Sequence, residues 1–157
     1  MNSTRSLRPF CSADIQVLRE VYADAIETQA SEFYTKEQIK SWSALAWLPG
    51  ILEKTFQEGK GWLSFEGPEV AAFAIRYPLN RLALLYCRGC FARRGHASKL
   101  ISCIEREAVL EGQSKLVSEA SFLSYPLLSK LGWDLVSMQN IAIGGVGFER
   151  YLMQKFF

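Results

Sequence analysis

The sequence predicts one mixed α/β domain of about seven strands, mostly antiparallel, with helices set among them. Three observations predict it. The chain holds 157 residues, 49% apolar and 22% charged, which is enough to bury one core and too little for two. The hydrophobic period is helical up to Glu58 and changes to that of strands from Gly61 to Cys87. Beyond Gly95 a long helical pattern is followed by a strand, a short helix and two more strands, a strand-helix-strand unit behind an antiparallel front half.

Each element has its own signal. Ser6 to Phe10 reads as a short strand, and Ser12 caps a helix in which Ile15, Leu18, Val21, Tyr22, Ala25 and Ile26 share a face. Asp14 falls in its first turn, where the dipole favours a carboxylate. Thr35 and Gln38 form a capping box before a second helix through Trp42, and Pro49 opens a third helical piece to about Glu58. Trp62 to Phe65, Val70 to Tyr77 and Leu82 to Cys87 form a meander broken at Gly67-Pro68 and at Pro78-Leu79-Asn80. Gly95 to about Gly112 is a long helix with Leu100, Ile101, Ile104, Ala108 and Val109 on one face. Lys115 to Glu119 is a strand and Tyr125 to Leu131 a helix stopped by Gly132. Trp133 to Ala142 and Val146 to Gln154 are the last strands, joined at Gly144-Gly145.

Composition excludes several function classes. The longest uncharged stretch, Leu135 to Phe148, is fourteen residues with two adjacent glycines, too short for a membrane span. The first ten residues lack the apolar core of a signal peptide, so the cytoplasm is the expected compartment. A net charge of +2 is too small to argue for nucleic acid. The four cysteines, at 11, 87, 90 and 103, suit reduced thiols. Cys87 and Cys90 do form a Cys-x-x-Cys, which leaves a redox dithiol as a minor reading, and no ligand pairing with His96 supports a metal.

The charge distribution says more. Between Val70 and Ile104 there is no acidic residue, while Arg76, Arg81, Arg88, Arg93, Arg94 and Lys99 are all basic. Without those six the chain has 12 basic against 16 acidic residues. The basic segment coincides with a strand-to-helix junction, Leu84 to Ile101, whose Gly95-His96-Ala97 opens the helix. A helix start offers unpaired N–H groups and the positive end of the dipole, so this junction is a candidate anion site. It lacks the glycine spacing of a P-loop or of a dinucleotide-binding turn.

Four blocks carry a resemblance to the GNAT superfamily of acyl-CoA-dependent N-acyltransferases along almost the whole chain. Ala92 to Ala97 looks like the family's pyrophosphate motif, Gln/Arg-x-x-Gly-x-Gly/Ala, and Ala120 to Trp133 is similar to the strand-helix segment that walls the other side of the acyl-CoA slot. Leu7-Arg8-Pro9-Phe10 with Ala13-Asp14 resembles the opening strand and helix start. Phe33 to Trp42 resembles a Tyr-Thr-x-Glu-Gln-x-x-x-Trp signature of a bacterial subgroup. The resemblance implies a twisted sheet with helices on both faces, splayed between its fourth and fifth strands, in a single domain over residues 1–157.

It also implies acetyl-CoA as co-substrate and the amine of a small molecule or peptide as acceptor; from charge, hydropathy and ligand spacing no nucleic acid, membrane or metal is expected. Leu85, Tyr86 and Cys87 match the strand that pairs with the pantetheine arm. Arg93, Arg94, Gly95, His96, Ala97 and Ser98 match the pyrophosphate loop, and Ser121 and Ser124 fall on the facing wall. Tyr34 and Trp42 are candidate acceptor contacts. His96 reads as a loop residue directed at phosphate or solvent. Homodimers are common in the family, and Ile141 to Phe148 is the expected contact.

Three departures stand out. Ala92 replaces the motif's leading Gln/Arg, Gly89 stands where proline is common and loosens the turn, and Leu128 occupies the usual place of a tyrosine that protonates the leaving thiolate. Tyr125, one helical turn earlier, is the candidate acid in its stead; Glu32, Tyr34 or water is the candidate base. A general acid contributes ~10²- to 10⁴-fold, and a thiolate of pKa near ~8.5 leaves with little help, so the expectation is a slower enzyme rather than an inactive one. The alternative reading is a catalytically weakened CoA-binding module or regulatory domain.

Overall fold

Residues 4–157 are described in the computed structural model of the chain. The element order is β1 (Arg5–Pro9), α1 (Ile15–Gln29), α2 (Lys36–Ser43), α3 (Glu53–Glu58), β2 (Lys60–Glu66), β3 (Glu69–Arg76) and β4 (Leu82–Cys87), then α4 (His96–Leu110), β5 (Lys115–Ala120), α5 (Tyr125–Lys130), β6 (Asp134–Ile143) and β7 (Val146–Phe156). The strands form two antiparallel sheets, ordered β1-β2-β3-β4 and β5-β7-β6.

Strand β3 explains why both faces carry helices. Phe73 and Ile75 enter a cluster with Leu18, Val21, Ile26 and Phe56 on the α1–α3 side. Ala72 and Ala74, at the alternate positions, enter the opposite cluster with Leu100, Ile101, Ile104 and Leu128 from α4 and α5. Small and large side chains thus alternate with the period of a strand, and each large one contributes about 1.5–3 kcal/mol on burial. Arg76, fully buried at the end of β3, ties the sheet to α4 through Glu107 (2.8 Å) and Glu111, and donates to the Leu79 carbonyl at 2.8 Å.

The two sheets meet at one end only. A parallel bridge pairs Arg81 with Val117, the Val117 N–H donates to the Asn80 carbonyl (3.0 Å), and Ser118 Oγ donates to the Leu82 carbonyl (2.8 Å). Beyond Leu82 no bridge joins β4 to β5 among the described residues, so the expected splay between the fourth and fifth strands is present.

Two boundaries differ from expectation. Pro49 lies in a turn and the third helix starts only at Glu53, four residues later. The first helix is preceded by a 3-10 turn over Ser12–Asp14, so Asp14 and not Ser12 stands at its N-cap position; the Asp14 carboxylate accepts the Cys11 N–H that opens the turn at 2.9 Å and pairs with Arg8 at 2.7 Å. The carboxylate meets a part-buried, doubly hydrogen-bonded ion pair with Arg8, a stronger demand than the dipole. The capping box of α2 is as expected: Thr35 Oγ1 accepts the Gln38 N–H (3.1 Å) and Gln38 Oε1 accepts the Thr35 N–H (2.9 Å).

Candidate functional site

The splay opens two clefts that share one wall. The larger, about 660 Å³, lies between the end of β4, the start of α4 and the β5–α5 junction. The smaller, about 360 Å³, lies on the α1–α2 side. Leu85, Tyr86, Ser121 and Ser124 line both, so the clefts meet across the outer edge of β4.

That edge carries unpaired backbone groups. The Arg88 N–H donates to the Ala71 carbonyl (2.8 Å), which by antiparallel alternation turns Tyr86 and Arg88 toward β3 and leaves the N–H and C=O of Leu85 and Cys87 facing the splay. The Cys87 carbonyl takes a side-chain donor there, Gln29 Nε2 at 2.6 Å. The Leu85 and Cys87 N–H groups are therefore available to an acceptor oxygen in the larger cleft.

Helix α4 opens at the other end of this cleft. Its N-cap is Gly95, left-handed at φ 88°, with no side-chain cap, and the first amide bonded within the helix is Lys99 to the Gly95 carbonyl (3.2 Å). The N–H groups of His96, Ala97 and Ser98 are left at the positive end of a fifteen-residue helix, and Gly95 has open space where a side chain would stand. Arg93, also left-handed at φ 62°, joins them on the cleft wall. This is the geometry of an anion site.

Of the residues singled out in the sequence, Leu85, Tyr86, Cys87, Arg93, Gly95, His96, Ala97, Ser98, Ser121 and Ser124 line the larger cleft. Arg94 does not: its guanidinium lies 3.6 Å from Glu66 and stacks over the Phe91 ring. Ser121 Oγ caps the α5 entrance by accepting the Leu123 and Ser124 N–H groups at 3.2 and 3.3 Å. Tyr34 and Trp42 belong to the smaller cleft, with Tyr22, Tyr86 and Phe148. The Tyr34 hydroxyl accepts the Phe122 N–H at 2.9 Å and its ring stacks on Phe122, so it also pins the shared wall.

The structure does not bring Tyr125 to either cleft; its ring packs on Tyr151, centroids 4.4 Å apart. Leu128 is buried, and it lines the smaller cleft beside Ser124. Burial holds Tyr86 protonated, its pKa pushed up to about 12, and burial raises Tyr34 in the same direction.

His96 corrects the sequence reading. Its ring is 2% exposed and turned away from solvent, with Nδ1 2.6 Å from Ser64 Oγ and Nε2 3.0 Å from Glu66 Oε1. Only its place at the head of α4 puts it on the cleft wall. The His96 hydrogen bond, with Arg5 and Arg94 nearby, holds the Glu66 carboxyl below the usual range. Gly89 corrects a second reading: its N–H donates to Asp24 (2.9 Å), and a Cβ there would come within 2.2 Å of Thr28 Oγ1. Glycine lets α1 close on the end of β4, a bond that proline would forfeit. The Cys87 thiol is raised to about 11, chiefly by burial, which is the reverse of a redox thiol. Cys11, Cys87, Cys90 and Cys103 are all free.

Sequence reasoning missed Ala25 and Gln29, which with Glu32, the candidate base, and Phe33 extend the cleft along α1 and just beyond its end. Their types carry no pattern of their own. Among the described residues no group of His, Cys, Asp and Glu could hold a metal, and no helix is long and apolar enough to cross a membrane.

No protein-family profile matches the chain. The uncharacterized N-acetyltransferase YafP of Escherichia coli is 22% identical over 148 residues, covering 94% of this chain and 93% of that protein. The crystal structure of a GCN5-related N-acetyltransferase from Rhodopseudomonas palustris superposes with a TM-score of 0.92 at 21% identity, over 100% of this chain and 98% of that one. PaiA N-acetyltransferase from Thermoplasma acidophilum, solved in complex with coenzyme A, gives 0.73 at 15% identity over 98% and 99%.

Proposed function

We propose that this chain, which has the fold of the GCN5-related N-acetyltransferases, transfers an acetyl group from acetyl-CoA to the amine of a small molecule or peptide. The observation that carries the reading is the meeting of the two clefts at Leu85, Tyr86, Ser121 and Ser124: one cleft ends in an anion site, the other in an aromatic pocket. A donor in the first and an acceptor in the second have their reacting ends at the same stretch of β4.

The chemistry follows from that placement. The donor's pyrophosphate sits on the N–H groups of His96, Ala97 and Ser98, with Arg93 beside it. Its pantetheine arm runs along the free edge of β4. A neutral amine attacks the thioester carbonyl, the carbonyl oxygen gains negative charge, and a β4 N–H stabilises it as an oxyanion hole does. The C–S bond then breaks to give the CoA thiolate, and the amine's proton leaves through Glu32 or water, since Tyr34 is held protonated by burial. Holding both reactants at one edge supplies roughly 7–11 kcal/mol of the barrier reduction. The test is thiol release from acetyl-CoA over a panel of amines: amine-dependent release supports transfer, and none over a broad panel contradicts it.

A second reading, a CoA-binding module without turnover, is favoured by one observation. Leu128 is buried and Tyr125 is engaged with Tyr151, so no tyrosine of α5 stands in either cleft as a leaving-group acid. Binding of acetyl-CoA without release over the panel distinguishes it.

A further inference from the structure

The pyrophosphate loop is conformationally costly and is not held by its own helix. Arg93 and Gly95 both sit at positive φ, 62° and 88°, and α4 has no side-chain cap. A non-glycine residue in the left-handed region is sterically strained, so the surroundings must fix it. What fixes it comes from β2. Ser64 and Glu66, two apart and both buried, point from that strand into α4 and take the two nitrogens of His96, at 2.6 and 3.0 Å. Glu66 also faces Arg5 Nε at 3.3 Å and Arg94 Nη1 at 3.6 Å, and Arg5 in turn donates to the Arg94 carbonyl. The first residue of α4 and the loop backbone before it are thus both tethered to one carboxylate.

Three groups of this network resemble a hydrolytic triad in type alone. Ser64 is 1% exposed and bonds Nδ1, so its hydroxyl meets no substrate.

We propose that Ser64 and Glu66 are positioning residues for donor binding: through His96, Arg5 and Arg94 they hold the loop in the one conformation that turns the His96, Ala97 and Ser98 N–H groups toward the pyrophosphate. This rests on the acyl-CoA reading above. Two physical effects of Glu66 oppose each other. As a negative charge behind an anion site it repels the donor, so a charge-only role makes Glu66→Gln tighten binding. As an anchor it accepts hydrogen bonds that an amide, with one oxygen and a donor group, cannot all take over, so Glu66→Gln weakens binding. The two cations beside the carboxylate largely cancel its field, and the anchoring role prevails.

The experiment compares CoA, followed by calorimetry, with pantetheine, which lacks the pyrophosphate, followed by tryptophan fluorescence. In Glu66→Gln the CoA affinity falls roughly tenfold or more, the loss expected of hydrogen bonds to a charged group, while pantetheine affinity stays within about twofold of the wild type. Ser64→Ala, a smaller perturbation of a folded strand, shows the same selectivity with a smaller loss. Equal weakening of both compounds, no change, or tighter CoA binding overturns the proposal. A wild-type protein that binds pantetheine or CoA not at all overturns the acyl-CoA reading itself, and the positioning role with it.

Discussion

The backbone N–H of Gly89 donates to the carboxylate of Asp24 across 2.9 Å, and one turn further along α1 Gln29 donates to the Cys87 carbonyl across 2.6 Å. Helix α1 therefore grips the end of β4 at two points, on either side of the residue where the strand leaves the sheet. Since Thr28 packs over Gly89 with no room for a Cβ, the grip depends on glycine. Gly89→Ala is expected to lower the unfolding free energy by about 2 kcal/mol, through the clash and the lost bond, and Asp24→Ala by about 1 kcal/mol. Urea denaturation reads both; equal stability of Gly89→Ala and wild type contradicts the grip.

Cys87 lies on the cleft wall, yet burial raises its thiol to about 11. At pH 8 it is therefore almost wholly protonated, and exposed Cys90 and Cys11 react first. Timed alkylation with iodoacetamide and mass spectrometry is expected to show Cys87 labelled at least tenfold more slowly than Cys90. Fast labelling of Cys87 would restore the dithiol reading.

Acid stability has a defined sign. The Arg8 hydrogen bonds hold the Asp14 carboxyl down at about 2, below its value in the unfolded chain, so the stabilisation is complete above about pH 4 and is lost as the pH falls toward 2. Arg8 is close to half exposed, and solvent screening reduces the contribution to about 1 kcal/mol. Arg8→Met is expected to lower stability at pH 7 and to lower it by only a small fraction of that amount at pH 2. An equal loss at both values would mean that packing, and not the ion pair, is responsible.

Tyr125 packs on Tyr151 outside both clefts. A general acid is worth ~10²- to 10⁴-fold; Tyr125→Phe, keeping the ring, is expected to change kcat by less than about threefold. A loss of a hundredfold or more, with KM for the donor unchanged, would make Tyr125 the acid after all.

What was legible in the sequence followed short-range rules. Thr35 and Gln38 satisfy each other locally, so their capping box is fully determined within four residues. Gly95, followed by a fifteen-residue amphipathic helix, fixes the anion end of the larger cleft in the same local way. What was not legible depends on how elements are laid over one another. His96 looks exposed in a basic, glycine-flanked loop and is buried because α4 crosses β2, where Ser64 and Glu66 wait on the same face. The polar pair at i and i+2 in a strand otherwise carrying Trp62 and Leu63 is the one signal that could have shown it. Gly89 reads as a loosened turn until Thr28 is placed over it, and Pro49 reads as a helix start because proline suits both a first turn and a loop.

Whether the head of α4 holds the pyrophosphate of acetyl-CoA is decided by calorimetric titration, with ATP beside it. Gly95 has open space beside it but a left-handed backbone, so Gly95→Glu combines strain with a negative charge at the anion site. Micromolar binding of acetyl-CoA to the wild type is expected, with its loss in a folded Gly95→Glu variant and no comparable binding of ATP. Absence of any acetyl-CoA binding to the wild type, or binding that Gly95→Glu leaves intact, would contradict it.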